Sequence, residues 1–211
     1  MSLNPNFSDS DSELIFQAQN GVKQAFGELA LRYRKNICGL AFRMIGDLQE
    51  AEDITQNVFI RAYLALPKFT PNRDNSCKAW LLTITSRLCI DYIRRHKQNN
   101  IDMESMSHRE LELIATAQNI RDTVIDAEER NRLCQALLRL PPNYRMAVAL
   151  KYIEDLDYQE ISRIMKIPLG TVGTWIRRGL AELKADIIQT ELHPTILNQK
   201  RGEVGAKPAT R

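Results

Sequence analysis

The segment 158–184 constrains the fold more than any other part of this chain, because its pattern is typical of two short helices joined by a tight turn. Asp157 is positioned to cap the first helix, and Glu160 follows three residues later, which is the spacing of a capping box. Apolar residues then recur at helical spacing, at Ile161, Ile164 and Met165. The first half of the segment therefore predicts a short amphipathic helix.

A turn and a second helix follow. Pro168 lacks a backbone donor and Gly170 tolerates unusual dihedral angles, so the helical pattern breaks here, and Thr171 is positioned to cap the next helix. Four apolar residues share one face of that helix, namely Val172, Ile176, Leu180 and Leu183. The opposite face carries small, hydroxyl-bearing and basic residues, namely Gly173, Thr174, Arg177, Arg178, Ala181 and Lys184.

This outer face is suited to the major groove of DNA, because a helix-turn-helix presents its second helix there. Arginine can read guanine edges, threonine can contact a thymine methyl group, and any of the cations can contact phosphate. The alternative is an ordinary helical hairpin with a solvated basic face. The spacing of the turn favours DNA binding.

The remaining sequence predicts an all-α fold, with two small helical domains joined by a polar linker and the second domain ending in the helix-turn-helix. Residues 10–97 form the first domain and residues 126–188 the second. Residues 98–125 are polar, with scattered apolar positions, and are expected to be the linker. Residues 189–211 contain little apolar content and are expected to be a disordered tail.

The first domain is predicted to contain three main helices, which begin near Val22, Leu48 and Lys78. Gly46 closes the first of them and Asp47 can cap the second. The second helix has a polar face, formed by Glu50, Asp53, Gln56, Asn57 and Arg61, beside its apolar stripe. On periodicity alone, that face is simply solvated.

Positive charge is concentrated around the third helix. Residues 68–97 contain seven basic and two acidic residues, an excess larger than the +3 of the whole chain. Clustered cations beside exposed aromatic or amide side chains are typical of surfaces that hold single-stranded nucleic acid. Phe69, Asn75 and Trp80 are the nearby candidates, although Trp80 also has the spacing of a core residue.

Several other classes of protein are disfavoured. The four cysteines show no C-x-x-C spacing, so we expect neither a metal site nor a disulfide framework, and a reducing cytoplasm is the simplest location. No apolar run reaches membrane-spanning length. No glycine-rich phosphate loop or catalytic Ser/His/Asp arrangement occurs, so we expect no catalytic residues, no cofactor and no small-molecule substrate.

Three regions of the chain, taken in order, carry a resemblance to a known family. Segment 47–66, DLQEAEDITQNVFIRAYLAL, resembles the polymerase-binding helix of the bacterial extracytoplasmic-function (ECF) sigma factors. Phe69 with segment 79–95, AWLLTITSRLCIDYIRR, resembles the part of that family that melts and reads the −10 promoter element. Segments 140–145, LPPNYR, and 158–183 resemble its C-terminal domain, which reads the −35 element.

The resemblance implies roles for particular residues. Those implied to bind the clamp helices of the largest subunit of core RNA polymerase are Asp53, Gln56, Asn57 and Phe59. Those implied to hold the opened −10 strand or an extruded base are Phe69, Asn75, Ser76, Arg87, Arg94 and Arg95. Those implied to contact the −35 duplex are Thr171, Thr174, Arg177, Arg178 and Lys184. The implied partners are core polymerase, promoter DNA and an anti-sigma factor.

The chain departs from the family pattern at three positions. A basic residue is common where Gly173 stands, arginine is common where Trp175 stands, and asparagine is common where Ser86 stands. These departures affect which promoter is read and not the class of function. Two alternatives remain: a stand-alone helix-turn-helix regulator that binds operator DNA unaided, and a helical adaptor that binds only proteins.

Overall fold

The computed structural model describes residues 10–71, 76–96 and 127–192, and within these ranges the chain forms helices and no strand. The α-helices, in chain order, are α1 (Asp11–Gln19), α2 (Lys23–Ile45), α3 (Leu48–Ala65), α4 (Cys77–Arg95), α5 (Ala127–Arg139), α6 (Pro142–Tyr152), α7 (Tyr158–Met165) and α8 (Leu169–Leu192). A 3-10 turn, Leu66–Lys68, continues α3. The predicted all-α class is confirmed. We call α1–α4 the N-terminal module and α5–α8 the C-terminal module.

Local sequence signals explain where the N-terminal helices begin and end. Side chains at three helix starts accept hydrogen bonds from backbone N–H groups of the first turn, namely Ser10, Asp47 and Ser76. Gly46 ends α2 in the left-handed conformation, with a φ of 82°, which glycine adopts without steric cost. The connection from α2 to α3 is therefore only two residues long.

The predicted capping box forms at the start of α7. The Asp157 carboxylate accepts from the Glu160 N–H at 2.7 Å, and the Glu160 carboxylate accepts from the Asp157 N–H at 2.8 Å. Two backbone donors that the helix itself cannot satisfy are thereby paired. This fixes the first helix of the helix-turn-helix as the sequence predicted.

The turn and the start of α8 differ from the prediction. Lys166, with a φ of 55°, is the residue in the left-handed conformation, and Gly170 lies inside the helix instead. Thr171 does not cap α8, because the helix begins at Leu169 and the Pro168 carbonyl accepts from the Thr171 N–H at 2.9 Å. A proline just before the first turn supplies this acceptor and needs no donor of its own.

Helices α2 and α3 form an antiparallel hairpin that is the scaffold of the N-terminal module. The rings of Phe26, near the start of α2, and Tyr63, near the end of α3, contact edge to face with centroids 5.1 Å apart. Helix α4 lies against both helices and buries Leu81 and Leu88 from the predicted stripe, with Trp80 and Tyr92 partly buried at its edges.

The two modules pack against each other around a shared core. Helix α4 contacts α6 and α7, while α2 contacts α5 and α6. One continuous cluster joins buried residues of both modules, among them Met44, Leu82, Cys89, Met146, Leu150 and Ile161. The sequence pattern did not indicate this contact. The apolar faces of each module are also the faces that its own helices need in order to pack against one another.

Parts of the predicted organisation lie outside the described residues. These parts are the linker 98–125, Lys97, Asn75 and residues 193–211. Helix α8 continues to Leu192, so residues 189–192, which we expected to belong to the disordered tail, are helical. None of the helices in the described ranges combines the length and apolar character that crossing a bilayer requires.

Candidate nucleic-acid interface

Helix α8 presents its basic side chains to solvent and its apolar side chains to the core. Val172 and Ile176 are buried, while Arg177, Arg178 and Lys184 are exposed. Leu180, which we predicted on the buried face, is 36% exposed. Gly179 is buried in its place, because α6 approaches so closely that a Cβ there would lie 2.8 Å from a methyl group of Val148. The outer face predicted for DNA is therefore accessible.

Two side chains on this face have internal hydrogen bonds that fix their orientation. The Thr174 hydroxyl donates to the Gly170 carbonyl at 2.9 Å, so its hydrogen is committed within the helix. The Arg178 guanidinium donates to the phenolic oxygen of Tyr144, on α6, at 3.4 Å. This hydrogen bond raises the pKa of Arg178, which is exposed and charged at every physiological pH. Thr171 is half-buried in the first turn.

The predicted cations of α4 are also exposed. Arg87, Arg94 and Arg95 all lie on its solvent side. Arg94 forms an ion pair with Asp91, and the Arg95 Nε donates to the Asp91 carbonyl at 3.1 Å. One carboxylate therefore offsets part of the charge at the end of α4, and the remainder is available to a phosphate backbone.

The aromatic residues beside α4 are arranged differently from the prediction. Phe69 was expected to be exposed, but it is 5% exposed, because the Trp80 ring stacks on it with centroids 4.0 Å apart and an interplanar angle of 11°. The side-chain amide of Gln19, on α1, donates a hydrogen bond to the Phe69 carbonyl at 2.6 Å. Trp80, half-buried, is the ring on which a base could stack.

Two further residues of this region have structural partners. Ser76 caps α4 through its hydroxyl, so its side chain is occupied in the fold. Ser86 was predicted on the same arc as the exposed cations, but it is buried because α6 covers it. Its hydroxyl donates to the Leu82 carbonyl at 2.8 Å and contacts the Met146 sulfur at 3.4 Å.

A second surface lies on the outer side of α3. Asp53, Gln56 and Asn57 are exposed on consecutive turns, and the Asn57 amide donates to the Asp53 carbonyl at 2.9 Å. Phe59 is half-buried at the edge of this face. Two large apolar residues beside it, Ile60 and Leu64, are 58% and 74% exposed. Polar residues that border exposed apolar ones are typical of protein-binding surfaces.

Among the described residues, no group of three or more His, Cys, Asp and Glu is arranged to hold a metal ion. The cysteines there, Cys38, Cys77, Cys89 and Cys134, are buried free thiols. Burial raises the pKa of the Cys77 and Cys89 thiols to about 12. They are therefore protonated at neutral pH and poor nucleophiles.

Comparison with known proteins identifies both modules. Residues 29–99 match the family Sigma-70 region 2, and residues 130–183 match the family Sigma-70, region 4. The chain is 38% identical over 178 residues to the ECF RNA polymerase sigma factor SigW of Bacillus subtilis (strain 168), which covers 82% of this chain and 94% of that protein. The chain belongs to the ECF RNA polymerase sigma factors. A sigma factor binds core RNA polymerase and directs initiation at specific promoters.

Other sigma factors support the same assignment. The ECF RNA polymerase sigma-E factor of Escherichia coli (strain K12) is 30% identical over 176 residues, covering 80% of this chain and 90% of that one. Among solved structures, CnrH in complex with the cytosolic domain of CnrY matches with a TM-score of 0.61 at 24% identity, over 86% of this chain and 99% of that one. RpoE in complex with the anti-sigma factor NepR, from Bartonella quintana, matches with a TM-score of 0.58 at 19% identity, over 77% and 96%. These two structures share the fold.

Sequence reasoning missed the charged residues that this sigma factor buries. Arg43, Arg145 and Glu154 are almost fully enclosed, and burial lowers the pKa of Arg43 and lowers that of Arg145 to about 10. A signal was present for Arg145, because it precedes an apolar run that α6 buries from Met146 to Leu150. An arginine on the buried face of a helix indicates a carbonyl or carboxylate partner within the fold.

Proposed function

We propose that this sigma factor reads the −35 element with α8 and the −10 element with the α4 region, while the outer face of α3 docks on the clamp helices of the largest polymerase subunit. The observation that carries this proposal is the outward presentation of Arg177 and Arg178 on the second helix of a capped helix-turn-helix. A major groove admits such a helix, and arginine can bond both acceptors of guanine.

The −35 assignment rests on the exposed residues of α8. Arg177 and Arg178 would contact base edges, and Lys184, almost two turns further on, would contact phosphate. Thr174 would present its methyl group to a thymine, because its hydroxyl hydrogen is committed to Gly170. Thr171, near the helix start, would contribute its hydroxyl to a phosphate contact, because its backbone N–H already donates to the Pro168 carbonyl.

The −10 assignment rests on the exposed cations of α4 and on the aromatic pair beside it. Arg87, Arg94 and Arg95 would neutralise phosphates of the opened strand. Phe69 would act by supporting Trp80 and not by stacking on a base itself. Ser76 and Asn75 would border the pocket for an extruded base, at the start of α4.

The polymerase assignment rests on α3. Asp53, Gln56 and Asn57 offer a carboxylate and two amides on exposed turns, and Phe59 supplies apolar area at the edge. We also propose that an anti-sigma factor restrains this protein, since RpoE, which shares the fold, is found in complex with the anti-sigma factor NepR. The protein itself would act in the cytoplasm, with no cofactor and no small-molecule substrate. It would not itself catalyse bond formation.

Run-off transcription with purified core polymerase tests the DNA assignments. Arg177→Ala should reduce transcription by the equivalent of about 1–3 kcal/mol if the residue reads a base edge. The reduction should disappear on templates whose upstream element is already altered. On those templates the contact is lost in the unsubstituted protein as well as in the variant. If the variant is equally impaired on all templates, the base-reading role of Arg177 is wrong.

Pull-down with core polymerase tests the α3 face. Asp53→Ala combined with Gln56→Ala should weaken retention of the sigma factor, while Glu13→Ala combined with Gln24→Ala should not. The control removes the same two chemical groups from exposed positions on α1 and α2. Equal retention of both double variants would remove the support for docking through α3.

A further inference from the structure

The chain turns sharply where α3 ends, and this turn carries one member of the aromatic pair that lies beside α4. Leu66, which is buried, begins the 3-10 turn, and its carbonyl accepts a hydrogen bond from the Phe69 N–H at 3.0 Å. Phe69 continues in extended conformation, with a φ of −79° and a ψ of 126°. The last carbonyls of a helix have no further partner within it, so those of this turn must be satisfied from elsewhere.

Gln19, the last residue of α1, supplies these partners. Its side-chain amide donates to the Leu66 carbonyl at 2.9 Å and to the Phe69 carbonyl at 2.6 Å. A primary amide has two N–H donors, so one side chain can bond both carbonyls at once. Gln19 thereby attaches α1 to carbonyls that lie 47 and 50 residues later in the chain.

The end of α1 is itself held in place, so the side chain of Gln19 starts from a fixed position. Just beyond it, Gly21 adopts the left-handed conformation, and the Gly21 N–H donates to the Ala18 carbonyl at 3.1 Å. Leu14 and Ile15 are buried, and α1 packs along α2. A side chain on a packed helix positions its partner more precisely than one on a loop.

The position of this turn determines the position of the Phe69 ring, which supports Trp80. The two rings stack with centroids 4.0 Å apart and an interplanar angle of 11°, so Phe69 covers one face of the indole. Trp80 is only half-buried, and part of the indole therefore stays accessible. A shift of the turn would move the surface on which a base could stack.

We propose that Gln19 is a positioning residue for the reading of the −10 element: its two hydrogen bonds hold Phe69 against Trp80 and thereby determine where a base of the opened strand stacks. This rests on the proposed function, since it takes Trp80 as the stacking ring. In this role Gln19 contacts neither DNA nor polymerase and acts only through the turn.

A purely stabilising role for Gln19 predicts a different result. A loss of stability lowers the amount of folded protein, so it weakens binding to polymerase, binding to duplex promoter DNA and promoter opening together. A positioning role leaves the first two intact and slows only the opening, because a base can stack on Trp80 only after it has left the duplex. The test must therefore measure binding and opening separately.

The test compares variants of Gln19 with a matched control at the next residue. Gln19→Ala removes both hydrogen bonds to the turn, and Gln19→Asn keeps the amide but withdraws it by one methylene group. Gln19→Lys keeps N–H donors at this position and should restore the contact. Asn20→Ala is the control, because the Asn20 amide also donates to a carbonyl, that of Phe16 at 2.8 Å, but within α1.

The fluorescence of Trp80 measures the positioning in the free, full-length protein. The chain contains two tryptophans, so Trp175→Phe leaves Trp80 as the only one. In that background, Gln19→Ala and Gln19→Asn should each raise the acrylamide quenching constant of Trp80 about twofold, because Phe69 no longer covers one face of the indole. Asn20→Ala and Gln19→Lys should leave the quenching constant unchanged.

Promoter opening measures the consequence, with holoenzyme reconstituted from core polymerase and each full-length variant. A 2-aminopurine base in the −10 element becomes more fluorescent when it leaves the duplex stack. Gln19→Ala should slow this rise about fivefold, which is roughly the effect of one or two hydrogen bonds. Its affinity for core polymerase and for duplex promoter DNA should change by less than about twofold. Gln19→Lys should restore most of the rate, and Asn20→Ala should not alter it.

A double-mutant cycle connects the two measurements. In a Trp80→Ala background, Gln19→Ala should not slow opening any further, because the ring that it positions is already gone. If circular dichroism shows that Gln19→Ala has lost helix, the same cycle with Gln19→Asn decides the matter.

Three results would overturn the proposal. One is a quenching constant of Trp80 that is the same with and without the Gln19 amide. Another is normal opening in the Gln19 variants while Trp80→Ala is slow. The third is an equal loss of polymerase binding and of opening in Gln19→Asn. Normal opening in Trp80→Ala would instead contradict the proposed −10 role of Trp80, and the quenching result would still show what Gln19 does to the turn.

Discussion

The guanidinium of Arg145 donates a hydrogen bond to the carbonyl oxygen of Met44, which lies 101 residues earlier in the chain. Arg145 is 6% exposed, and its other bonds go to carbonyls at the end of α5. A single side chain thereby links α6 to the end of α5 within the C-terminal module, and it also links this module to α2. Its fork of donors explains why an arginine, and not a lysine, suits this position.

Arg145→Lys should lower the free energy of unfolding by about 2–4 kcal/mol, because an ammonium cannot reach three carbonyls and leaves some of them buried without a donor. Burial already lowers the pKa of Arg145 to about 10, so a lysine in this site would be driven toward its neutral form. Urea unfolding followed by circular dichroism measures the change.

The control for this prediction is Arg139→Lys. Arg139 is also an arginine of the C-terminal module, but it forms a partly exposed ion pair with Asp186 at 2.7 Å. A surface pair contributes only about 0–1 kcal/mol, and lysine can largely replace arginine in it. Comparable losses in the two variants would show that Arg145 has no special structural role.

Alanine substitutions at two glycines that lie within helices should have opposite effects on stability. At Gly179 a Cβ would lie 2.8 Å from a methyl carbon of Val148 and 3.5 Å from the Tyr144 carbonyl, so Gly179→Ala should destabilise the protein by about 1–3 kcal/mol through overpacking. At Gly27, in α2, nothing lies within 4 Å of that position. Gly27→Ala should therefore stabilise by about 1 kcal/mol, through helix propensity alone. Thermal unfolding distinguishes the two variants. If both substitutions changed the stability in the same direction, the result would contradict the geometry.

The features that the sequence predicted correctly depend on neighbours a few residues away. Asp47 caps α3 and Gly46 ends α2 because each acts on a backbone group within one turn. The capping box of α7 pairs Asp157 with Glu160 for the same reason. The helix wheel also placed Arg177 on the outer face of α8 correctly, since a helix in contact with one layer has one solvent side.

The features that the sequence did not predict depend on distant partners. Ser86 has a polar side chain on a basic arc, but it is buried, and its hydroxyl contacts Met146, which lies 60 residues later in the chain. Phe69 is covered by Trp80 and held by Gln19, which lies 50 residues earlier. Leu180 is exposed because α6 approaches α8 at Gly179 and so shifts the buried face. The periodicity of a sequence predicts which side of a helix is apolar and which is polar. It does not predict which other element packs against each side.

Stability should fall as pH rises above about 9, and Cys89 should cause part of the loss. Burial raises the pKa of Cys89 from its ordinary value of 9.0 to about 12, so between these values the unfolded chain loses a proton that the folded chain keeps. Rising pH then favours unfolding, by up to about 1.4 kcal/mol for each pH unit and each such thiol.

Urea unfolding at several pH values above 9, in the presence of a reductant, measures this slope. Cys89→Ala should make the slope shallower, whatever its effect on stability at neutral pH. Cys77 is shifted in the same direction, so adding Cys77→Ala should flatten the curve further. A slope unaffected by either substitution would mean that neither thiol is as buried in solution as in the folded structure.

Under the −35 role proposed for Arg178, Tyr144 should determine how well this side chain reads the element, because the phenolic oxygen is a hydrogen-bond acceptor that fixes the guanidinium at 3.4 Å. Tyr144→Phe removes the acceptor and keeps the ring, whose centroid lies 6.4 Å from that of Trp175. Transcription that depends on the −35 element should fall about two- to fivefold, consistent with one hydrogen bond of roughly 0.5–1 kcal/mol. Thermal stability should hardly change.

A double-mutant cycle separates positioning from general damage to the fold. In an Arg178→Ala background, Tyr144→Phe should have no further effect on −35-dependent transcription, because the group that it orients is already gone. Tyr152→Phe, at the exposed end of α6, is the matched control and should be neutral in both backgrounds. If Tyr144→Phe lowers transcription equally with and without Arg178, the phenol acts on some other part of the protein, and the hydrogen bond does not position the reading side chain.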